Sequence, residues 1–336
     1  MSKTPFALAT FAAADDAFAA LVVGDRVAAL APHLGSGTTV RTLLSAWEDV
    51  LEPLQDLADG LGPDGFDYEL ASLRALPPVD PPGQLFQAGA NYRQHLVELT
   101  NAGPDRMHRT LTDEERQRML DDIDERSRSG VPYIFLGLPH SIIGAGDDIV
   151  LPDAVSSVDW ELELAVVIGR TAHQVPREEA FDVVAGYTIC NDITARDRVF
   201  RADLPGIGTD WLAGKNWPTF FPTGPLLVPA LHVSNPMSRQ ITLRLNGEVM
   251  QDSSTSDMMF DISRLIEHAS SIAELRPGDM LLTGSPAGNG VHHGRFLAPG
   301  DVITGEIAGL GRQRNRCVAE ATLRFGAGGE EEQVHV

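Results

Sequence analysis

Cysteine is scarce in this sequence. Only Cys190 and Cys317 occur among the 336 residues, and no CxxC pair is present. A disulfide framework or a thiolate zinc site needs more thiols than this, so the sequence excludes both. Two cysteines without such a framework fit a reducing compartment, and we expect a cytoplasmic location.

Long apolar runs and basic residues are also lacking. No apolar run reaches the roughly 20 residues of a membrane helix, and Asp15 and Asp16 interrupt the apolar start of the chain, so we expect neither a membrane span nor a signal peptide. Lys and Arg total 26 against 47 Asp and Glu, for a formal net charge of −21. This charge repels nucleic acid and anionic membranes, and we expect neither as a partner.

The length and the apolar content of 43% predict one large domain and a small one. A proline-rich stretch at residues 77–83 divides the chain, so we predict a small N-terminal domain over residues 1–78 and a larger domain over residues 84–336. Within the first part, residues 19–30 are typical of a hairpin turning at Gly24 and Asp25. Residues 38–58 have apolar positions at helical spacing.

The larger part begins with a predicted strand over residues 84–90, and Asn91 is the expected N-cap of a helix through Leu99. Residues 100–130 are charged, and Thr112 with Glu115 forms a capping-box signature. We interpret this stretch as a helical insertion that is either an inert surface excursion or a weakly held lid. From Pro132 onward, short β-branched runs alternate with turn signals, which predicts a mostly β, α+β fold.

The segment Val158–Gly169 carries the most informative pattern. If it is one strand, Glu161 and Glu163 share a face, because side chains alternate along a strand. A second apolar run, at residues 186–192, ends on Asp192. Three carboxylate ligands without nearby Cys or His favour Mg²⁺ or Mn²⁺, with Ca²⁺ as an alternative. The competing interpretation is an amphipathic strand whose acidic side chains face water.

Other candidate residues are weaker when each is taken alone. His95 and Glu98 share a helix face, and a carboxylate beside an imidazole can make a general base, although such pairs are more often surface contacts. Lys215 could stabilise an enolate or a carboxylate, or it could extend along the surface. The glycine-rich segment 283–290, which contains Thr283 and Ser285, could bind a carboxylate or form a plain turn.

The order of these motifs along the chain resembles the fumarylacetoacetate hydrolase family over residues 84–316. The resemblance rests on Asn91-Tyr92-Arg93-x-His95-x-x-Glu98, Glu161-x-Glu163, Gly186-Tyr187-Thr188, Asn191-Asp192-x-x-Ala195-Arg196-Asp197, Gly214-Lys215, Asn246-Gly247-Glu248 with Gln251, and Thr283-Gly284-Ser285-Pro286. Leu138-Pro139 departs from the pattern, since many members have Lys-Pro there. This difference removes a positive charge near the expected pocket.

The resemblance implies a mixed β-sandwich roll with a small leading domain, usually in a homodimer. It implies that Glu161, Glu163 and Asp192 bind Mg²⁺ or Mn²⁺. His95 with Glu98 would activate a water molecule, and Lys215 would steady an enolate. Gln251, Thr283 and Ser285 would contact a small keto-acid or diketone substrate.

The expected activity is metal-dependent hydrolysis of a carbon–carbon bond in a 1,3-dicarbonyl compound, such as an acylpyruvate, through an enolate held by the metal. The same enolate chemistry without water gives decarboxylation or keto–enol tautomerisation, which relatives also perform. The His95–Glu98 pair favours hydrolysis because only hydrolysis needs an activated water. A binding protein without activity is disfavoured, because buried charged residues cost stability when they have no use.

Overall fold

The computed structural model of the protein describes residues 3–13, 16–101, 112–204, 206 and 208–320. The strands are β1 Ala7–Ala13, β2 Asp16–Val23, β3 Arg26–Ala29, β4 Tyr68–Glu69, β5 Arg74–Leu76, β6 Leu85–Gly89, β7 Tyr133–Gly137, β8 Ile142–Gly144, β9 Ile149–Leu151, β10 Val158–Asp159, β11 Leu162–Ile168, β12 Val184–Asn191, β13 Thr194–Ala195, β14 Phe221–Thr223, β15 Val228–Pro229, β16 Gln240–Leu245, β17 Glu248–Ser254, β18 Met280–Leu282, β19 Val302–Ile307 and β20 Gly311–Ala319. The helices are α1 Ala31–Leu34, α2 Val40–Ser45, α3 Trp47–Gly60, α4 Arg93–Asn101, α5 Asp113–Ser129, α6 Trp211–Lys215, α7 Ile262–Ile272 and α8 Gly290–His293. In these described ranges, no helix has both the length and the apolar content needed to cross a membrane.

The N-terminal segment forms its own antiparallel sheet in the order β4-β3-β2-β1-β5. The predicted hairpin is confirmed: β2 and β3 pair directly, and Gly24 between them has a φ of +59°, a backbone region that favours glycine. The helical pattern at 38–58 is also confirmed, but it forms two helices, because Ala46 leaves helical geometry between α2 and α3.

Two further sheets contain most of the remaining strands. The first is mixed, in the order β7-β6-β18-β11-β12-β14-β8, and the second has the order β17-β16-β19-β20-β9. This architecture confirms the mostly β, α+β class. Cys190 and Cys317 are buried within it as free thiols.

Strand β11 contributes side chains to two separate buried clusters. Leu162, Leu164 and Val166 belong to the cluster shared with the second sheet, whereas Ala165 and Val167 belong to the cluster shared with the N-terminal segment. The predicted alternation along this strand is therefore confirmed. Backbone bonding between Leu8 and Leu227 also joins the N-terminal segment to the rest. The proposed boundary between residues 78 and 84 stays a prediction.

Helix α5 is held more firmly than its charged sequence suggests. Its predicted capping box is present, with Thr112 and Glu115 bonded reciprocally. Ile123 is buried in the main core cluster, so this helix contributes a side chain to the core. Arg126 donates to the Ala90 carbonyl at 2.6 Å. The lid hypothesis remains a prediction, and part of the segment it concerns, residues 102–111, lies outside the described residues.

Candidate metal centre and active site

The three predicted carboxylates meet at one buried site. Glu163 lies on β11, and Asp192 follows the last residue of β12, which pairs antiparallel with β11. The Asp192 amide donates to the Glu161 carbonyl at 2.8 Å, which brings the two backbones together. Carboxylate oxygens from all three residues lie within 4.8 Å of one another, and each residue is at most 7% exposed. The alternative of solvated surface carboxylates is therefore wrong.

The pattern predicted one continuous strand for the segment that carries these glutamates, but the structure shows a break in it. It splits into β10 and β11 around Trp160 and Glu161. Side chains replace neighbouring strands as hydrogen-bond partners at the break. The Glu161 N–H donates to Asn191 Oδ1 at 2.9 Å, and the Leu162 N–H donates to Gln251 Oε1 at 3.0 Å. This break places Glu161 at the end of the sheet, where it faces Asp192.

Two cations share the site with the carboxylates. Lys215 is 2% exposed, and its Nζ donates to Glu161 Oε2 at 2.6 Å and to Asp192 Oδ2 at 2.5 Å. Arg196 donates to Glu161 Oε1 at 2.5 Å and to Asp159 Oδ2 at 2.7 Å. The interpretation of Lys215 as an exposed surface lysine is therefore wrong.

The electrostatic environment differs sharply among the three acidic side chains. Burial raises the pKa of Glu161, but Lys215 and Arg196 outweigh burial and lower that pKa to about 2. Burial raises the pKa of Asp192 to about 7 despite the adjacent Lys215. Burial, with the neighbouring charges of Asp192 and Glu161, raises the pKa of Glu163 well above its usual value. Negative charge at this site is therefore compensated only in part.

The donor set fits a divalent cation. If ionised, Asp159, Glu161, Glu163 and Asp192 carry four negative charges, against two positive charges on Lys215 and Arg196. Two negative charges are then left over, which one divalent ion would neutralise. Oxygen ligands in close convergence are those that Mg²⁺ and Mn²⁺ prefer.

His95 lies beside this cluster on α4. It is 6% exposed, and its Nδ1 is buried without a hydrogen-bond partner. Burial lowers the pKa of His95 to about 4, with Glu161 opposing and Arg196 and Lys215 assisting that shift. The imidazole is therefore neutral near pH 7 and has a free nitrogen, as a proton acceptor requires.

Glu98 does not hydrogen-bond to His95 in this structure. Its Oε2 accepts instead from the Gly288 N–H at 2.7 Å, and its Oε1 lies 3.7 Å from His292 Nε2. Asn91, the expected N-cap of the same helix, also has hydrogen-bond partners other than the predicted ones. Its side chain bonds the backbone of Phe260 and Thr283, while Asp257 accepts from the Gln94 N–H at the start of α4.

The predicted substrate-binding residues lie around the same site, but their polar groups are engaged internally. Thr283 Oγ1 donates to the Leu164 carbonyl at 2.9 Å. Gln251 Nε2 donates to Ser285 Oγ at 3.2 Å and to the Pro286 carbonyl at 3.0 Å. Ser285 Oγ in turn donates to that same Pro286 carbonyl at 3.1 Å. These contacts show a role in shaping the loop, and contact with substrate remains a prediction.

The loop that begins at Thr283 also closes tightly over Glu163. The Gly284 N–H donates to Glu163 Oε2 at 2.7 Å. Gly284 has a φ of +96°, and an added Cβ would lie 2.9 Å from the Asn91 Cβ, so glycine is required here.

Sequence reasoning assigned no role to four residues of the site: Gln87, Asp159, Arg196 and Asn289. Asn289 Nδ2 donates to Glu161 Oε1 at 3.3 Å and to the Trp160 carbonyl at 2.9 Å. With its amide oriented so that both ends find partners, Gln87 donates to both oxygens of Asp192 at 2.8 and 2.9 Å. Arg196 belongs to the motif Asn191-Asp192-x-x-Ala195-Arg196-Asp197, four residues after Asp192. That spacing was the sequence signal that could have indicated its place in the site.

The fold and this site can be compared with known proteins. The sequence model described as the fumarylacetoacetate hydrolase C-terminal domain matches residues 84–318, most of the chain. The chain belongs to the fumarylacetoacetate hydrolase family. A mitochondrial oxaloacetate tautomerase of Xenopus laevis is 35% identical over 250 residues, which cover 74% of this chain and 69% of that protein.

Solved structures of this family have a similar overall fold. One is a probable 2-hydroxyhepta-2,4-diene-1,7-dioate isomerase from Mycobacterium abscessus, with a TM-score of 0.73, 31% identity, and coverage of 94% of this chain and 99% of that chain. Another is a maleylpyruvate hydrolase from Sphingobium sp. SYK-6 in complex with manganese(II) and pyruvate, with a TM-score of 0.69, 26% identity, and coverage of 93% and 99%. Relatives thus include hydrolases, isomerases and tautomerases, and the chain belongs to a family of enzymes.

Proposed function

We propose that this protein is a divalent-metal-dependent enzyme that forms enolates from small 2-oxo acids, with keto–enol tautomerisation of an oxaloacetate-like substrate as its first candidate reaction. The observation that carries this proposal is the buried convergence of Glu161, Glu163 and Asp192 with Lys215 and Arg196 against them. Such a site combines ligands for a cation with positive charge for an anionic substrate. The positive charge matters because the chain as a whole, with a net charge of −21, repels anionic substrates.

Glu161, Glu163 and Asp192 would hold the metal ion. A bound Mg²⁺ or Mn²⁺ supplies Lewis-acid polarisation of a carbonyl oxygen. Lys215 and Arg196 add fixed positive charge in a buried environment, where electrostatic stabilisation of an enolate oxygen is strongest. His95, with its unpartnered Nδ1, would accept the proton that the substrate carbon releases.

Tautomerisation needs only proton transfers. The substrate carbon–hydrogen bond breaks, its proton moves to His95, and the electron pair moves through the new carbon–carbon double bond to the carbonyl oxygen. Protonation of that oxygen gives the enol, and the reverse sequence regenerates the ketone. Glu98 is not needed in this sequence, which agrees with its hydrogen bond to Gly288 rather than to His95. The Xenopus relative's name supports the same reaction.

Hydrolytic cleavage of a 1,3-dicarbonyl compound is the second candidate. A water proton would move to His95, and the water oxygen would bond to the carbonyl carbon. The carbon–carbon bond would then break to leave an enolate, which takes up a proton. The neutral imidazole of His95 beside the cluster would serve as the base in this reaction as well. The Sphingobium maleylpyruvate hydrolase, similar over 93% of this chain, also supports it.

The test is a comparison of oxaloacetate and an acylpyruvate as substrates, with Mn²⁺ or Mg²⁺ and with EDTA. Enol–keto interconversion is followed by ultraviolet absorbance, and cleavage or decarboxylation is identified by product chromatography. We expect metal-dependent interconversion of oxaloacetate, lost in Glu163→Ala. Acylpyruvate cleavage without interconversion would replace the first candidate with the second. Full turnover in EDTA would contradict the metal-dependent mechanism.

We also propose a homodimer and a cytoplasmic location. The free, buried thiols of Cys190 and Cys317 support a reducing compartment. The name of the Xenopus relative places that protein in mitochondria. Fractionation of cells that express the tagged protein tests the location.

A further inference from the structure

The side chain of Asn289 has one end engaged in hydrogen bonds and one end free. The residue is 1% exposed, and its Oδ1 is buried without a hydrogen-bond partner in the described part of the chain. At the other end, Nδ2 donates to the Trp160 carbonyl at 2.9 Å, to Ser285 Oγ at 3.1 Å and to Glu161 Oε1 at 3.3 Å. The Trp160 carbonyl and the Glu161 carboxylate can only accept, so the amide cannot be reversed and Oδ1 is the free end.

Helix capping does not account for this free oxygen. Asn289 is the N-cap of α8, a position where an asparagine oxygen ordinarily accepts a backbone N–H, yet no such bond forms among the described residues. Asp159 accepts these donors instead, from the Gly290 N–H at 2.5 Å and from the Val291 N–H at 3.3 Å. A buried acceptor without a partner lowers stability, so Asn289 Oδ1 calls for a partner that the reaction supplies.

His95 has a second unpartnered atom beside the same cluster, because its Nδ1 is buried and bonded to nothing in the described ranges. Glu98, on the same face of α4, accepts from the Gly288 N–H at 2.7 Å and lies 3.7 Å from His292 Nε2. These two contacts lie on either side of Asn289 in the sequence. Helix α4 therefore presents the face that carries His95 to the start of α8.

Two free acceptors beside one metal site suit a water molecule. A water can donate two hydrogen bonds, one to Asn289 Oδ1 and one to His95 Nδ1 when the imidazole proton is on Nε2. A lone pair of the water oxygen then remains available for a carbonyl carbon. An ionised substrate oxygen, by contrast, has no hydrogen to donate to either atom. The two acceptors therefore fit hydrolysis better than tautomerisation.

We propose that Asn289 positions the hydrolytic water for His95, so that this site cleaves acylpyruvates as well as interconverting keto and enol forms. One O–H bond of the water breaks, and its proton moves to His95 Nδ1. The electron pair forms the bond from the water oxygen to the carbonyl carbon, while the carbonyl π pair moves to the carbonyl oxygen. The other O–H stays bonded to Asn289 Oδ1. This inference rests on the proposed function, and it gives Asn289 the place beside His95 that the resemblance assigned to Glu98.

The experiment measures two reactions of each variant at saturating Mn²⁺: cleavage of acetylpyruvate and keto–enol interconversion of oxaloacetate. Asn289→Val replaces the amide with an apolar side chain, and Asn289→Ser keeps a favourable N-cap residue whose oxygen falls short of the Oδ1 position. Both should lower kcat for cleavage about 10- to 100-fold, because the water is misplaced, and change interconversion by less than about threefold. The KM for acetylpyruvate should change little, since the water and not the substrate loses a contact.

Two further variants serve as controls, and circular dichroism checks that every variant folds. Asn315→Ser is the matched control, since Asn315 is also 1% exposed and its Nδ2 donates to the carbonyls of Gly144 and Asp147, neither of which belongs to the site. We expect it to leave both reactions unchanged. Glu98→Gln tests the alternative partner for the water, and it should lower cleavage less than either Asn289 variant.

A selective loss of cleavage in both Asn289 variants would support the inference, because a merely structural role would lower the two reactions together. Equal losses, or no loss, would overturn it and leave the proposed function in place. A wild-type protein that interconverts oxaloacetate without cleaving acetylpyruvate would also overturn it. A selective loss in Glu98→Gln alone would overturn it in favour of Glu98. An absence of metal-dependent turnover with both substrates would contradict the proposed function itself.

Discussion

Glu161 and Glu163 are two residues apart, yet their replacement by glutamine should lower the stability of the metal-free protein to very different extents. Glu161 forms ion pairs with Lys215 at 2.6 Å and with Arg196 at 2.5 Å. Glu163 has no cationic partner at such distances in the described structure. It accepts a hydrogen bond from the Gly284 N–H, and its pKa is raised well above the usual value by burial. A glutamine at position 163 would therefore keep this hydrogen bond and break no ion pair at such a distance.

The magnitude follows from these contacts. Removing one partner of a buried ion pair costs about 3–5 kcal/mol. Glu161→Gln should lie near the lower end, about 3 kcal/mol, because Lys215 keeps Asp192 and Arg196 keeps Asp159. Glu163→Gln should change the free energy of unfolding by less than about 1 kcal/mol, since it breaks no close ion pair in the described structure and glutamine, which has the same shape as glutamate, can accept the same N–H.

Urea unfolding in EDTA, followed by circular dichroism, measures both effects. With an m value of about 3 kcal/mol/M, Glu161→Gln should lower the midpoint by about 1 M urea, whereas Glu163→Gln should leave it nearly unchanged. Glu178→Gln is the surface control, since Glu178 is exposed and outside the site. Mn²⁺ at 100 times its dissociation constant should stabilise wild type by about 2.7 kcal/mol. Both site variants should lose most of that gain.

Equal losses of stability in the two metal-free variants would refute this reasoning, because they would show that the ion pairs of Glu161 carry no special weight. If Mn²⁺ stabilised Glu163→Gln by as much as it stabilises wild type, the assignment of Glu163 as a ligand would be refuted.

Three further predictions concern the base, the pH dependence and the helix that carries the base. His95→Ala should lower kcat by roughly 10²–10⁴ with Mn²⁺ affinity intact, and wild-type kcat would assign the base elsewhere. The pKa of Asp192 is raised to about 7 and that of Glu163 well above its usual value, so Mn²⁺ must displace protons when it binds. The affinity for Mn²⁺, measured by calorimetry, should therefore fall as the pH is lowered through about 7. A constant affinity across that range would contradict the shifts. Arg93 and Asp124 form an ion pair at 2.7 Å between α4 and α5. Arg93→Asp should therefore lower kcat, and the double variant Arg93→Asp with Asp124→Arg, which exchanges the two charges, should restore it. A double variant no better than the single would exclude this positioning role.

Much of the fold was predictable because it depends on local patterns. The hairpin at Gly24, the capping box of α5 and the alternation along β11 follow from backbone preferences and side-chain periodicity, which act over a few residues. The convergence of three carboxylates was one of two interpretations that the pattern allowed, since Glu161 and Glu163 are two apart and Asp192 ends the next long apolar run, and the resemblance to the family favoured it.

The contacts that failed prediction are nonlocal or depend on competition between partners. Asn91 was a plausible N-cap, but its amide satisfies the backbone of Phe260, 169 residues away. The break before β11 arises because Gln251, 89 residues beyond Leu162, supplies a hydrogen bond that a neighbouring strand would otherwise supply. Local propensity contains no information about such partners.

The sequence by itself determined a mostly β scaffold with candidate carboxylates near its strand ends, because alternation and turn signals act over a few residues. Only the tertiary structure decided that these carboxylates meet in one buried cluster and how that cluster is charged. Lys215 reaches Glu161 across 54 residues and Arg196 reaches it across 35, while Glu98 bonds to Gly288 across 190. The ionisation of each carboxylate depends on burial and on such partners, and both exist only once the sheets and loops have packed.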